Sequence, residues 1–198
     1  MELRDKHGLT EAEFLAQYRP KDYERPSVTA DIAVFREKSG HKELLLIRRG
    51  GHPFLGKWAL PGGFSNRGES VGETAARELE EETHLKNLSL EPVGLFSDPG
   101  RDPRMWVMSE AYAALLWTDE AAKAGDDAAD AAWFRVDAAE AGETLTLHFT
   151  GKEEFSAVLE KKTRPAIRGV RSAYRILDAG GLAFDHAKII ACAWEKFL

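Results

Sequence analysis

An α/β domain is what this chain predicts, and three observations carry that expectation. Two strand-like segments, 28–35 and 43–49, are joined by a turn, so the chain opens on a hairpin. A glycine pair, Gly62-Gly63, precedes a helix whose start is marked by Ser70 and Glu73. Further strand patterns at 105–117 and 131–136 lead to a closing helix at 182–198. A length of 198 residues suits one domain, or one domain with an extra lobe, and 43% hydrophobic residues supply a real core.

Composition narrows the function classes. A net charge of −6 argues against general nucleic-acid binding, which favours a basic face. It leaves room for an anionic small substrate, because a bound metal ion inverts the local field. Cys192 is the one cysteine, so no internal disulfide forms and a reducing compartment is expected. No apolar run approaches the ~20 residues of a membrane span, and the polar start MELRDKHGLTEAEF lacks the apolar segment of a secretion signal. The expectation is a soluble cytoplasmic protein with no membrane or nucleic-acid partner.

In chain order, Thr10 and Glu13 form a capping-box pattern for a short helix ending near Tyr18, with Phe14, Leu15 and Tyr18 as its apolar face. Pro20 and Pro26 break the chain into a connector, so residues 1–26 are an arm and 27–198 the domain. The apolar run Leu44 to Ile47 suits a strand buried on both faces. Arg48 and Arg49 close it; arginine forks match phosphate geometry, and a solvated strand end is the alternative.

From Ser70 the helix places Ala75, Ala76 and Leu79 on one side. Glu78, Glu81 and Glu82 fall within an arc of about 100° beside that face. Arg77 lies four residues before Glu81 and braces it, and Glu69 can fold back from outside the helix. So many carboxylates repel one another unless a cation sits among them. Oxygen-only ligands favour Mg²⁺ or Mn²⁺ over zinc, and the chemistry implied is metal-assisted attack of water on a phosphoryl or pyrophosphate group. A solvated acidic helix is the alternative.

In the second half, the stiff loop Asp98 to Arg104 sets Arg101 and Arg104 among aspartates, to clamp a phosphate, a ribose or a neighbouring helix. Glu110 sits in mid-strand, at the site or on an exposed edge. Trp133 and Phe134 are expected in the core. Residues 138–181 form an unassigned insertion or extra hairpin, with strands at 144–149 and 154–160. The cations Lys161, Lys162, Arg164, Arg168, Arg171 and Arg175 read as a solvated face, or as a counter-charge to the acidic helix. Asp185 should cap a final helix whose Ile189, Ala193 and Phe197 share a face, with His186 as a packing residue.

The spacing of the acidic helix resembles a known family. Gly63, five residues, Glu69, seven residues, then Arg77-Glu78-Leu79-Glu80-Glu81-Glu82-Thr83-His84-Leu85 is similar to the Nudix box, GX5EX7REUXEEXGU with U a bulky aliphatic. His84 alone departs from it, standing for the final glycine. That glycine serves a helix end of positive φ, which histidine tolerates better than most side chains. SVTADIAVF, KWALPGGF, FSDPGRDPR and LAFDHAKII further resemble the ADP-ribose pyrophosphatase-like branch. The likeness covers about 23–136 well and 182–198 moderately.

The resemblance implies an α/β/α sandwich around a mixed sheet, with the box as a loop–helix–loop. It implies Glu78, Glu81 and Glu82 as metal ligands, the Gly62 carbonyl beside them, Glu69 as an outer or additional ligand, and Arg77 orienting the carboxylates. It implies hydrolysis of a nucleoside diphosphate linked to X, with ADP-ribose giving AMP and ribose 5-phosphate. Arg48, Arg49, Arg101 and Arg104 are the candidate substrate contacts, and Glu120, Asp126 and Asp127 candidate bases beside Glu82. A homodimer is expected. The branch also includes regulators fused to a winged helix; no such domain follows Leu198 here, so none is expected.

Overall fold

The computed structural model describes residues 2–117, 128–167 and 169–198. In chain order the elements are α1 (Glu11–Gln17), β1 (Ser27–Lys38), β2 (His41–Arg49), β3 (Trp58–Ala59), β4 (Gly62–Phe64), α2 (Val71–Thr83), β5 (Glu91–Phe96), β6 (Val107–Leu116), β7 (Ala128–Ala141), β8 (Thr144–Thr150), β9 (Glu154–Pro165), β10 (Val170–Asp178) and α3 (His186–Phe197). Among the described residues the strands form one sheet, ordered β10-β9-β8-β7-β2-β1-β6-β5, with β3 beside β2 and β4 beside β1. The β1–β6 pair is parallel and the other strand pairs antiparallel, so the sheet is mixed as expected.

Alternation along β1 and β2 divides the core. Ala30, Ile32, Val34 and Leu45 pack with Ala75 and Leu79 of α2. Ala33, Phe35, Leu44 and Leu46 pack on the other face with Ala187, Ile190 and Ala191 of α3. Each strand therefore feeds two cores, which is why Leu44 to Ile47 reads as an unbroken apolar run. Helices on both faces give the α/β/α sandwich.

Both capping boxes form. The Thr10 hydroxyl accepts from the Glu13 amide while Glu13 accepts from the Thr10 amide, and Ser70 and Glu73 do the same for α2. α2 stops at His84, which takes the left-handed conformation (φ 60°, ψ 10°) that the family's glycine would occupy. Phe14, Leu15 and Tyr18 of α1 stay exposed, so the arm does not bury its apolar face on the domain.

Asp185 is the N-cap of α3 but makes no capping hydrogen bond. Its carboxylate is taken by Arg101 instead. Residues 138–181 extend the sheet. β7 pairs with β2 through Arg135 and then with β8 from Arg135 to Ala141, so one long strand links two staggered halves of the sheet. The hairpin expected there is β8–β9. β10 went unread because Tyr174 is its one buried apolar side chain. As an edge strand it pairs charges across the ladder, with Arg175 opposite Glu160 at 3.0 Å. Lys161 likewise meets Glu140 and Lys162 meets Glu160, so these cations serve the ladder and not the acidic helix. Arg168 lies outside the described residues.

Phe134 is buried, its ring centroid 4.7 Å from that of Trp58. Trp133 is half-buried with the Arg36 guanidinium 4.0 Å over its ring. No helix of the described residues is long and apolar enough to cross a membrane.

Candidate active site

The cleft is built around a close approach of β4 to β1. Gly62 pairs with Asp31 at φ 154°, and a Cβ on it would lie 2.1 Å from the Ala30 carbonyl oxygen. Only glycine fits there. A Cβ on Gly63 would lie 2.5 Å from the carboxylate of Glu78. The missing side chain is the space into which α2 delivers that carboxylate. The result is a cavity of about 420 Å³ bounded by β1, the end of β2, the 59–66 segment, α2, the 101–104 loop, Phe184 and His186.

Glu78 and Glu82 line the cavity from α2. Burial pushes the Glu82 carboxyl up to about 8; the Gly62 amide, donating to its Oε2 at 2.8 Å, works the other way, while Glu78 and Asp31 add repulsion. Burial also raises Glu78, against the pull of Arg77. On both carboxylates burial outweighs the cations nearby, Arg77 for Glu78 and Arg49 for Glu82, so the pair is held above its ordinary range.

Arg77 organises the rest. Its Nε and Nη2 donate to the two oxygens of Glu69 at 2.9 and 3.1 Å, and Nη1 donates to Glu78 at 2.7 Å and Glu81 at 2.9 Å. Nη2 also donates to the Phe64 carbonyl at 3.1 Å, tying the helix to β4. The Arg77 fork, with help from Asn66, pulls Glu69 down to about 2. Glu81 is bonded to Arg77 and 57% exposed, and neither it nor Glu69 lines the cavity. Among the described residues no three acidic, histidine or cysteine side chains converge as a ready cage. The donor set nonetheless suits a hard cation. Glu78 spends one oxygen on Arg77 and Glu82 one on the Gly62 amide, which leaves the other oxygen of each for a cation; Gly63 leaves room for Glu78, and Mg²⁺ or Mn²⁺ completes its shell with water and substrate phosphate.

The four candidate arginines part company. Arg104 and Arg49 line the cavity. Arg104 is 38% exposed, held by both oxygens of Asp102 at 3.0 and 2.7 Å, and lies over the rings of Phe64 and Phe184. Burial, reinforced by Arg104, lowers the pKa of Arg49, and its Nε donates to the Pro53 carbonyl. Arg48 does not belong to the cavity. It points to the opposite face of β2, where it meets Glu153 at 3.0 Å, because neighbours in a strand alternate faces. Arg101 borders the cavity, but its side chain is 5% exposed and its fork is spent on Asp185 (3.0 and 2.7 Å) and Asp31 (3.1 Å). Burial works against its charge, but these carboxylates win and raise its pKa. Of the partners read for it, Arg101 takes the neighbouring helix, clamping the start of α3 to β1.

Glu110 is half-buried on β6 and does not line the cavity. Glu120, Asp126 and Asp127 lie outside the described residues. Sequence reasoning missed Asp31, Asn66, Phe64, Asp102 and Phe184 as parts of the cleft. All five lie in stretches already singled out, namely SVTADIAVF, KWALPGGF, the box, FSDPGRDPR and LAFDHAKII.

A loop–helix–loop thus sets acidic oxygens and two arginines around one cavity. Residues 25–158 match the NUDIX domain, and the chain belongs to the Nudix family. It is similar to an ADP-ribose pyrophosphatase of Methanocaldococcus jannaschii, 40% identical over 112 residues (57% of this chain and 63% of that protein). It is also similar to an ADPR-responsive transcriptional repressor, NtrR, of Acinetobacter baylyi, 38% identical over 109 residues (54% of this chain and 44% of that protein). The chain therefore spans less than two thirds of either relative's length. Among solved structures, a MutT/nudix family protein of Enterococcus faecalis superposes with a TM-score of 0.74 at 37% identity, over 95% of this chain and 69% of that one.

Proposed function

We propose that this protein is a Mg²⁺- or Mn²⁺-dependent pyrophosphohydrolase that cleaves ADP-ribose to AMP and ribose 5-phosphate. The observation that carries the proposal is the meeting, in one cavity, of the Glu78–Glu82 pair with Arg49 and Arg104. Glu78 and Glu82 would hold the cation, with Glu81 and the Gly62 carbonyl adjacent and Glu69 supporting through Arg77. Bound there, the cation would neutralise the pyrophosphate and acidify an attacking water. Glu82 accepts the water's proton in this scheme, or an acid of 119–130 does. Arg77 bridges Glu78 and Glu81 through one nitrogen and so orients both, and Arg49 and Arg104 meet substrate phosphate or ribose.

The test is a panel of ADP-sugars, dinucleotides and nucleoside triphosphates with Mg²⁺ and Mn²⁺, reading phosphate-containing products. ADP-ribose should lead it. A triphosphate or dinucleotide at the head would keep the chemistry and replace the substrate. A second reading, a sensor that binds ADP-ribose without turnover, is favoured by the likeness to an ADPR-responsive repressor. It takes over if no nucleotide is hydrolysed while a dinucleotide raises the melting temperature.

A further inference from the structure

The segment that delivers Gly62 to the cleft is held from behind by a side chain. β3 lies beside residues 181–186, joined by three successive ties. The Trp58 amide donates to the Gly181 carbonyl at 3.0 Å, the Ala183 amide to the Trp58 carbonyl at 2.8 Å, and the Leu60 amide to His186 Nδ1 at 2.8 Å. The first two are backbone bonds flanking the Trp58–Leu182 bridge. The third uses an imidazole nitrogen where a ladder would use a carbonyl, because the chain has already entered α3 at His186.

An amide donor on Nδ1 fixes the tautomer, so Nε2 carries the proton. Nε2 faces Asp31 Oδ1 at 3.6 Å. Asp31 is held in turn by the Ser109 hydroxyl at 2.6 Å and by Arg101, which also grips Asp185. The ring is buried, and burial holds it neutral against the pull of Asp31 and Asp185. On the far side of the same segment, the Ile32 amide donates to the Pro61 carbonyl at 2.8 Å and the Gly62 amide to Glu82 at 2.8 Å. One residue, Pro61, separates the Leu60 amide held by His186 from the Gly62 amide that meets the Glu82 carboxylate.

Building on the hydrolase reading above, we propose that His186 is a positioning residue for the metal-binding end of the site: its Nδ1 fixes Leu60-Pro61-Gly62, and through the Gly62 amide it sets the Glu82 carboxylate, with Asp31 and Arg101 locking the ring. This accounts for an arginine in the motif loop that turns its fork away from the cleft. It also gives the LAFDH segment a task at the site although its histidine contacts no glutamate of α2.

The test compares H186L, which fills the space without an acceptor, with H186N, whose Oδ1 can stand where Nδ1 stood. Three quantities are measured: amide exchange in the metal-free protein, Mn²⁺ affinity by calorimetry, and kcat and KM for ADP-ribose. H186L should speed exchange at Leu60 and Gly62 by about tenfold relative to β2 amides, weaken Mn²⁺ by about tenfold, and lower kcat by about 10–100-fold at little-changed KM. H186N should recover most of each loss. Wild-type Mn²⁺ affinity and exchange in a folded H186L, or equal losses in H186N and H186L, would overturn the proposal. If H186L does not fold, H186Q, which offers its acceptor at the Nε2 position, replaces it, and parity with H186N is the overturning result. A wild-type protein that hydrolyses nothing would remove the hydrolase reading alone, because exchange and Mn²⁺ affinity still decide the latch.

Discussion

Replacing Gly63 with alanine should silence the site without unfolding the protein. The new Cβ would stand 2.5 Å from the Cδ and both oxygens of Glu78. Ordinary contact needs about 3.5 Å, so the carboxylate must retreat by about 1 Å. Misplacement on that scale costs on the order of 10²-fold in rate, which is about 2.7 kcal/mol in the barrier. The fold should bear the change, because the group that moves is the end of a flexible side chain and Gly63 is not among the positive-φ glycines. Its melting temperature should stay within about 3 °C of wild type, equivalent to under about 1 kcal/mol. Gly62→Ala is the contrast: its Cβ meets the Ala30 backbone at 2.1 Å, so β4 must leave β1 and the protein should lose its fold or melt far lower. The assay is steady-state hydrolysis of ADP-ribose with Mg²⁺, alongside thermal melts of both variants. A folded G63A enzyme with wild-type kcat would show that the position of Glu78 against Gly63 has no part in the chemistry.

E82Q should keep the Gly62 hydrogen bond and the fold but lose about 10²–10³-fold in kcat, as expected for a group that both binds the cation and takes a proton; near wild-type turnover would sink both roles. Glu82 is held at about 8 in the folded protein, above the usual carboxylate range. Its stabilising contribution is therefore complete at acid pH and lost as pH rises towards 8, by up to about 1.4 kcal/mol per pH unit. The metal-free protein should accordingly melt lower at pH 8.5 than at pH 6, while E82Q or saturating Mg²⁺ flattens that slope; an unchanged slope in E82Q would assign it elsewhere. R101A strips the partner from Asp31 and Asp185 and should cost about 3–5 kcal/mol, whereas R104A strands the buried Asp102 alone, so it should raise KM for ADP-ribose and melt between R101A and wild type; equal melting of the two variants would contradict the buried clamp. Sedimentation should find a dimer, using the exposed apolar face of α1; a 22.0 kDa species would refute it.

The box was legible because its information is local. Ser70 and Glu73 cap a helix three residues apart, Arg77 reaches Glu81 one turn on, and His84 stops the helix in the left-handed region, all within one short stretch of chain. The hairpin of β1 and β2 was legible for the same reason, and so was β8–β9. β10 was not, since an edge strand buried on one face by a single tyrosine leaves no apolar pattern to read. The arginines could not be sorted from sequence, since Arg49 and Arg104 line the cavity while Arg48 does not and Arg101 is spent on Asp31 and Asp185. Arg48 and Arg49 are neighbours in sequence, and the pleat alone sends them to opposite faces.

By itself the sequence determined the acidic cluster of the cleft: the count of carboxylates, their spacing on one helix arc, and the two glycines beside them. Helical geometry converts those spacings into positions without help from the rest of the chain. Only the tertiary structure decided which carboxylates face the cavity and which stay with Arg77. It also turned Arg101 from substrate contact to clamp, and carried His186 across 126 residues to the Leu60 amide. Those outcomes depend on which strands lie side by side and on what burial does to a charge once they do, and neither is written in any local window of the chain.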